Sequence, residues 1–266
     1  MARRVRVDQR VLQLGLESSR SRARARILAG DVRSGDRVLD KPGQLIPPET
    51  PLQLRERRRY VSRGGEKLAG ALDALAIDPT GLRCADAGAS TGGFTDCLLQ
   101  RGAATVLAID VGYGLLDLGL RRDPRVEVLE RTNVRTLELP PQRPRFDLVT
   151  ADLAFISLRL VLPRLVDLAR PGGQLLLLVK PQFELQRRDV GSGGVVRDPR
   201  LRERALVGVR EAALARGLQV LGDVESPLPG PSGNREHFLW LERPAAPEAA
   251  SQRSPEKGSC RTTPET

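Results

Sequence analysis

From Lys67 to Leu241 short apolar runs alternate with stretches whose apolar residues recur at helical spacing, and that alternation leaves few folds open. Strands are expected near Leu82–Ala87, Thr105–Asp110, Val126–Leu129, Phe146–Ala151, Leu175–Val179, Gln219–Ser226 and His237–Leu241. Helices are expected over Lys67–Ala76, Phe94–Arg101, Leu115–Leu120, Ser157–Ala169 and Asp198–Arg216. Strand and helix in repeated alternation imply an α/β architecture, a mostly parallel and doubly wound sheet.

Ligands of such sheets bind beyond the carboxyl ends of the strands, where the sequence puts Asp86, Asp110, Asp152 and Lys180. The first of these ends runs Asp86-Ala-Gly-Ala-Ser-Thr-Gly-Gly-Phe94, a glycine-rich turn that leaves a strand and opens a helix. Gly88, Gly92 and Gly93 let backbone approach a ligand or take positive φ. The spacing matches neither the dinucleotide fingerprint nor the phosphate loop; Asp-x-Gly-x-x-x-Gly suits S-adenosylmethionine better. Asp110, ending the second strand, is placed to accept both hydroxyls of an adenosine ribose. An ordinary tight strand-to-helix turn is the alternative reading of the loop alone.

Asp152 opens Asp152-Leu-Ala-Phe-Ile-Ser157, where amine-directed methyltransferases carry Asp/Asn-Pro-Pro-Tyr/Phe. The two prolines are absent, which argues against methylation of a base amine. Lys180 ends the apolar run Leu175–Val179. Of 43 basic residues 39 are arginine and only Lys41, Lys67, Lys180 and Lys257 are lysine. Such a chain retains lysine where arginine cannot serve, since only a lysine can give up its proton.

Charge divides the chain further. The net charge is +10, and residues 1–60 hold 15 basic against 7 acidic residues, an excess of eight. Two short helices, Val5–Leu16 and Ser18–Ala29, are expected there, followed by turns and short strands; Arg20, Arg22, Arg24 and Arg26 would spread a broad cationic face suited to backbone phosphates. The basic stretch Arg55–Gly65 joins this module to the rest and is expected to touch RNA as well. Cys84, Cys97 and Cys260 share no metal-like spacing, the single His237 has no triad or metal partners, and no metal site is expected. No apolar run approaches the roughly 18 residues of a membrane span, and a reducing cytoplasm fits the cysteine usage. Residues 244–266 read as a disordered tail.

Arg6-Val-Asp-Gln-Arg-Val-Leu-Gln-Leu-Gly-Leu-Glu-Ser-Ser-Arg20, Ala25–Val32 and Lys41-Pro42 resemble the small α+β S4 (αL) RNA-binding domain. That resemblance turns Arg4, Arg6, Arg20 and Lys41 towards RNA, with Arg58, Arg59 and Arg63 of the linker beside them. Lys67, Asp152, Lys180 and Glu236 reproduce the order of the Lys-Asp-Lys-Glu tetrad of FtsJ-like RNA ribose methyltransferases. Ser62–Leu68, Asp110–Gly114, Glu130–Asn133, Val179–Glu184, Gly191–Pro199 and Ser226–Trp240 extend the likeness to the TlyA family, whose members carry the names haemolysin and ribosomal RNA 2′-O-methyltransferase. Tyr60 stands where members of that family carry tryptophan.

The resemblance implies an S4-like domain over 1–57, a linker over 58–64, a Rossmann-like class I methyltransferase domain over 65–243 and the tail. It also implies S-adenosylmethionine held by Asp86, Gly88, Ser90, Thr91, Gly92, Gly93, Phe94, Asp110, Asn133 and Asp152. The implied reaction is methylation of a cytidine 2′-hydroxyl in 16S and/or 23S ribosomal RNA by a cytoplasmic monomer. Its partners would be ribosomal RNA or ribosomal subunits, without a membrane or an obligate protein partner. A non-catalytic RNA-binding regulator and a membrane-active haemolysin remain as alternatives.

Overall fold

The structure, a computed structural model, describes residues 4–28, 30–55 and 59–245. The chain divides into two compact units, Met1–Arg59 and Tyr60–Thr266, each with its own core.

In the first unit β1 (Val5–Arg6) runs into α1 (Val7–Gln13), and α2 (Arg20–Leu28) is followed by β2 (Val32–Ser34), β3 (Arg37–Val38), β4 (Leu45–Ile46) and β5 (Gln53–Leu54). β1 pairs with β4, while β3, β2 and β5 form a second small sheet. Val7 and Val11 of α1 and Ala23 and Ile27 of α2 face Val32, Leu39, Ile46 and Leu52 in the core. The helix expected from Val5 starts at Val7, because Val5 and Arg6 pair with Ile46 and Leu45 instead. It ends where Gly15 takes a φ of 66°, which lets the Leu16 amide donate back to the Val11 carbonyl at 3.0 Å.

The second unit opens with α3 (Arg63–Ala74), so two residues expected in the linker, Arg63 and Gly64, are already helical. There follow β6 (Arg83–Ala87), α4 (Gly93–Gln100), β7 (Thr105–Ile109), α5 (Leu118–Arg122), β8 (Val126–Leu129), β9 (Phe146–Ala151), α6 (Leu158–Leu168), β10 (Ala169–Val179), α7 (Pro181–Glu184), α8 (Pro199–Leu214), β11 (Gln219–Glu225) and β12 (His237–Glu242). Seven strands form one sheet in the order β11-β12-β10-β9-β6-β7-β8, parallel from β10 to β8, with β12 antiparallel to both of its neighbours. This is a methyltransferase-like fold with a mostly parallel central sheet.

The pleat sorts the strand residues between two cores. Leu175, Leu177 and Val179 of β10 join α6 and α8 on one face, whereas Leu176 and Leu178 join α3 and α4 on the other. Apolar runs without alternation are the signature of strands covered on both faces. Two boundaries differ from expectation. β10 begins at Ala169, six residues early, across a register shift before Gln174; a Cβ on Gly173 would lie 2.9 Å from the Phe146 carbonyl oxygen, so the chain passes there only as glycine. α5 starts at Leu118 because the Asp117 carboxylate accepts from the Gly119 amide at 2.7 Å and caps it there.

Candidate active site

The chain lays β7 and β8 to one side of β6 and then β9 and β10 to the other, so a crevice opens between the ends of β6 and β9. A cavity of about 450 Å³ lies there, within the usual range of small-molecule sites. Gly88, Ser90, Asp110, Asn133 and Asp152 line it, with Thr132, and Ile109, Val111, Val134 and Leu153–Ile156 supply apolar wall. Gly88 has a φ of 86°, and a Cβ on it would lie 2.5 Å from the Asp152 carbonyl oxygen. Only glycine therefore allows the loop to close on β9. Asp110 accepts from the Ser90 amide at 2.8 Å through one oxygen and from the Gly112 amide at 2.7 Å through the other. Each oxygen retains a lone pair for a ribose hydroxyl. These groups suit a nucleoside ligand with an apolar base: a paired acceptor, a glycine that admits backbone contact, and a greasy slot.

The remaining loop residues do something else. Asp86 has no exposed surface; it accepts from the Thr95 hydroxyl at 2.7 Å and from the Thr150 hydroxyl at 3.4 Å, beneath the loop. Burial pushes its carboxyl up to about 7, against the pull of the Thr95 hydrogen bond. Gly92 and Gly93 are packing glycines. A Cβ on Gly92 would strike Leu120 at 2.3 Å, and one on Gly93 would strike the Ser62 hydroxyl oxygen at 2.2 Å and the Gly65 nitrogen at 2.9 Å. Phe94 is core, its ring 5.9 Å from that of Phe238. Thr91 is exposed outside the cavity, with its carbonyl accepting from the Asp117 amide. Of the three glycines in this motif Gly88 and Gly92 take positive φ, and only Gly88 lines the cavity.

Four charged groups end up as two pairs. Lys67 of α3 donates to Glu236 Oε2 at 2.6 Å; both are buried, and Glu236 Oε1 has no hydrogen-bond partner among the described residues. Lys180 Nζ lies 2.5 Å from Asp152 Oδ1, close in distance but poorly aligned as a hydrogen bond, so charge rather than direction holds it. Asp152 itself lines the cavity. Val179 pairs with His237 in the sheet, so one residue further on Lys180 and Glu236 leave the same end of neighbouring strands. His237 is half-buried between them in β12.

The model of the FtsJ-like methyltransferase family matches residues 60–243, and that of the S4 domain matches residues 5–51. The chain belongs to the FtsJ-like methyltransferase family. It is 53% identical over 243 residues to the 16S/23S rRNA (cytidine-2′-O)-methyltransferase TlyA of Mycobacterium tuberculosis, covering 91% of each chain. It is 36% identical over 246 residues to Hemolysin A of Brachyspira hyodysenteriae, covering 88% of this chain and all of that one. A solved structure carrying the name hemolysin, from Streptococcus thermophilus, superposes with a TM-score of 0.69 at 39% identity over 93% of this chain and 91% of its own.

For this FtsJ-like chain the S4 unit shows where its cations stand. Arg4 and Lys41 are exposed. Arg6 grips Asp8 with two hydrogen bonds, at 3.0 and 2.9 Å, and Arg20 approaches the same carboxylate at 3.4 Å. The Arg6 hydrogen bonds hold the Asp8 carboxyl below the usual range despite its burial. Arg26 departs from the expected face: it turns in to donate to Glu17 at 2.9 Å and Asp31 at 2.8 Å, leaving Arg20, Arg22 and Arg24 outside. Arg63 is exposed and donates to the Pro229 carbonyl at 3.0 Å, Arg59 is exposed, and Arg58 lies outside the described residues.

Sequence reasoning passed over the wall between Leu153 and Ile156. Phe155, 91% exposed with a φ of 64°, stands on this wall, its ring 5.4 Å from that of Phe183. A large aromatic in positive φ is costly, and its only sequence signal was position within a motif after Asp152.

Proposed function

We propose that this protein transfers a methyl group from S-adenosylmethionine to the 2′-hydroxyl of a cytidine ribose in ribosomal RNA. One observation carries the reading: Lys180, one of only four lysines, stands 2.5 Å from Asp152, which lines the cavity beside Asp110 and Gly88. Membership of the FtsJ-like family and the name of the Mycobacterium tuberculosis relative support the substrate. Gly88, Ser90, Asp110, Asn133 and Asp152 would hold the cofactor, Asp110 at its ribose and Asn133 at its base. When bound, the cofactor supplies an electrophilic methyl on a sulfonium. In its neutral form Lys180 takes the proton of the attacking hydroxyl; as the ammonium paired with Asp152 it instead neutralises the charge developing on the oxygen, and the proton leaves to water. Asp152 fixes Lys180, and Glu236 fixes Lys67 as a second cation.

A purely RNA-binding role would leave the cavity and the buried lysines unexplained. Among the described residues no helix is long and apolar enough to cross a membrane. The test is methyl transfer from labelled S-adenosylmethionine to naked ribosomal RNA and to intact subunits, with the modified nucleotide mapped. A labelled cytidine ribose is expected; label on a base, or none on either substrate, overturns the reading.

A further inference from the structure

Lys180 and Asp152 approach each other from two segments whose far ends are tied by one buried carboxylate. Glu184 lies four residues beyond Lys180, at the end of α7, and its side chain is 2% exposed. One oxygen accepts from the Leu158 amide at 2.7 Å, and the other from the Ser157 hydroxyl at 2.5 Å and from Arg159 Nε at 3.3 Å. Arg159 Nη2 also donates to the Glu184 carbonyl oxygen at 2.7 Å. Ser157 and Leu158 are the cap and first residue of α6, an eleven-residue helix, so the carboxylate also meets the positive end of its dipole. The arch from Asp152 to Ser157 is therefore pinned at both ends to the stretch from Lys180 to Glu184. Its middle, with Phe155 in positive φ, has no regular hydrogen-bonding ladder of its own.

We infer that Glu184 is a positioning residue for the methyl-transfer reaction, setting the Lys180–Asp152 contact from the opposite end of both segments. The inference rests on the role assigned to Lys180 above. A buried carboxylate with three side-chain and amide donors cannot be replaced by an amide of the same shape, because the glutamine NH₂ would confront the Leu158 N–H or the Arg159 Nε–H. A misplacement of about 1 Å already lowers rates, and a network of this kind is non-additive with the group that it positions.

The experiment measures single-turnover methyl transfer to ribosomal RNA at saturating cofactor, together with S-adenosylmethionine affinity, for Glu184→Gln, Lys180→Arg and the double variant. Glu184→Gln is expected to lose about tenfold in rate, with cofactor affinity changed less than about threefold, the loss expected when one positioning contact goes. In the Lys180→Arg background the same change is expected to add almost nothing. A wild-type rate for Glu184→Gln, full multiplication of the two losses, or an affinity loss matching the rate loss each overturns the inference while leaving the methyltransferase reading intact. An undiminished rate in Lys180→Arg alone overturns the proton-accepting role of Lys180 and the inference that rests on it, while leaving the methyltransferase reading intact. Should Glu184→Gln fail to fold, Ser157→Ala removes the 2.5 Å contact together with the cap on the Arg159 amide, and its rate is read against Lys180→Arg in the same way at a temperature where its melting curve shows it folded.

Discussion

The two units use positive charge in opposite ways. In the N-terminal unit Arg4, Arg22, Arg24 and Lys41 stand in solvent, while Arg6, Arg20 and Arg26 are paired with acids of their own unit. In the catalytic unit Lys67 and Lys180 are withdrawn, 7% and 13% exposed, each against one carboxylate. The proposed function gives the two sets of charges different tasks. Binding a polyanion needs several hydrated cations that release counterions, and no single one is decisive. Acting on one hydroxyl needs one cation in a dry place, and desolvation is tolerable only beside a counter-charge. Arginine dominates the first task and lysine is kept for the second.

Lys180→Arg is the sharpest way to break that contrast. Arginine keeps the charge and nearly the reach but cannot give up a proton. Loss of a general base costs about 10²–10⁴ in rate, so a single-turnover fall of that size with unchanged cofactor and RNA binding is expected. Lys257→Arg, outside the described residues, is the matched control and should leave the rate alone. Retention of more than about a tenth of the rate, a smaller loss than a missing base causes, would reduce Lys180 to an electrostatic role and make both units alike in using charge alone.

Removing residues 1–59 tests the other half. The catalytic unit has its own two cores and should still bind S-adenosylmethionine, because the cavity is lined entirely from within it. RNA affinity should fall, and its log-log dependence on salt should flatten, since the exposed cations of the S4 unit leave with it. Equal salt slopes for the full and shortened chains would mean that the outward-facing charge of the catalytic unit does the binding.

Periodicity carried the fold into view because most of β7, the middle of β9 and the Leu175–Val179 end of β10 are buried on both faces and so read as short apolar runs. It failed where backbone geometry decides. The early start of β10 depends on Gly173 fitting under the Phe146 carbonyl, and the late start of α1 depends on Val5 finding Ile46 across the unit. In the site, residues just past strand ends could be picked out since topology alone sends Asp110, Asp152 and Lys180 to one edge. What sequence could not separate was ligand contact from support. Gly88 and Gly92 look alike in the motif, yet one faces the cavity and the other makes room for Leu120. Glu184 was visible only as the last letter of a motif, because its partners lie 25 to 27 residues away along the chain.

Asp86 offers a smaller effect of definite sign. An unfolded aspartate ionises near 3.9, whereas burial holds the folded one protonated up to about 7. Between those values the folded state binds more protons, so raising the pH costs stability, by up to about 4 kcal/mol over three pH units. Asp86→Asn removes the titration yet can still accept from Thr95 and donate to Thr150. The melting temperature of Asp86→Asn relative to wild type should therefore rise between pH 5 and pH 8, other groups cancelling in the difference. A constant difference would place an ionised carboxylate under the loop at all these pH values, and would make Asp86 resemble the paired acids of the N-terminal unit.

Within α2 the same contrast between outward and inward charge recurs two residues apart. Arg24 is exposed and makes no hydrogen bond or ion pair among the described residues, whereas Arg26 is 13% exposed and bridges Glu17 and Asp31. Arg24→Ala should weaken RNA binding evenly across sequences and reduce the salt slope by about 1, with no change in melting temperature. Arg26→Ala should leave the slope unchanged and cost stability of about 1–2 kcal/mol, because two charged acceptors lose their donor and the turn before β2 loses its tie. Measuring both quantities for both variants decides whether exposure alone sorts these arginines. If Arg26→Ala flattens the salt dependence as much as Arg24→Ala does, the bridge to Glu17 and Asp31 opens on RNA, and the inward cation belongs to the binding face after all.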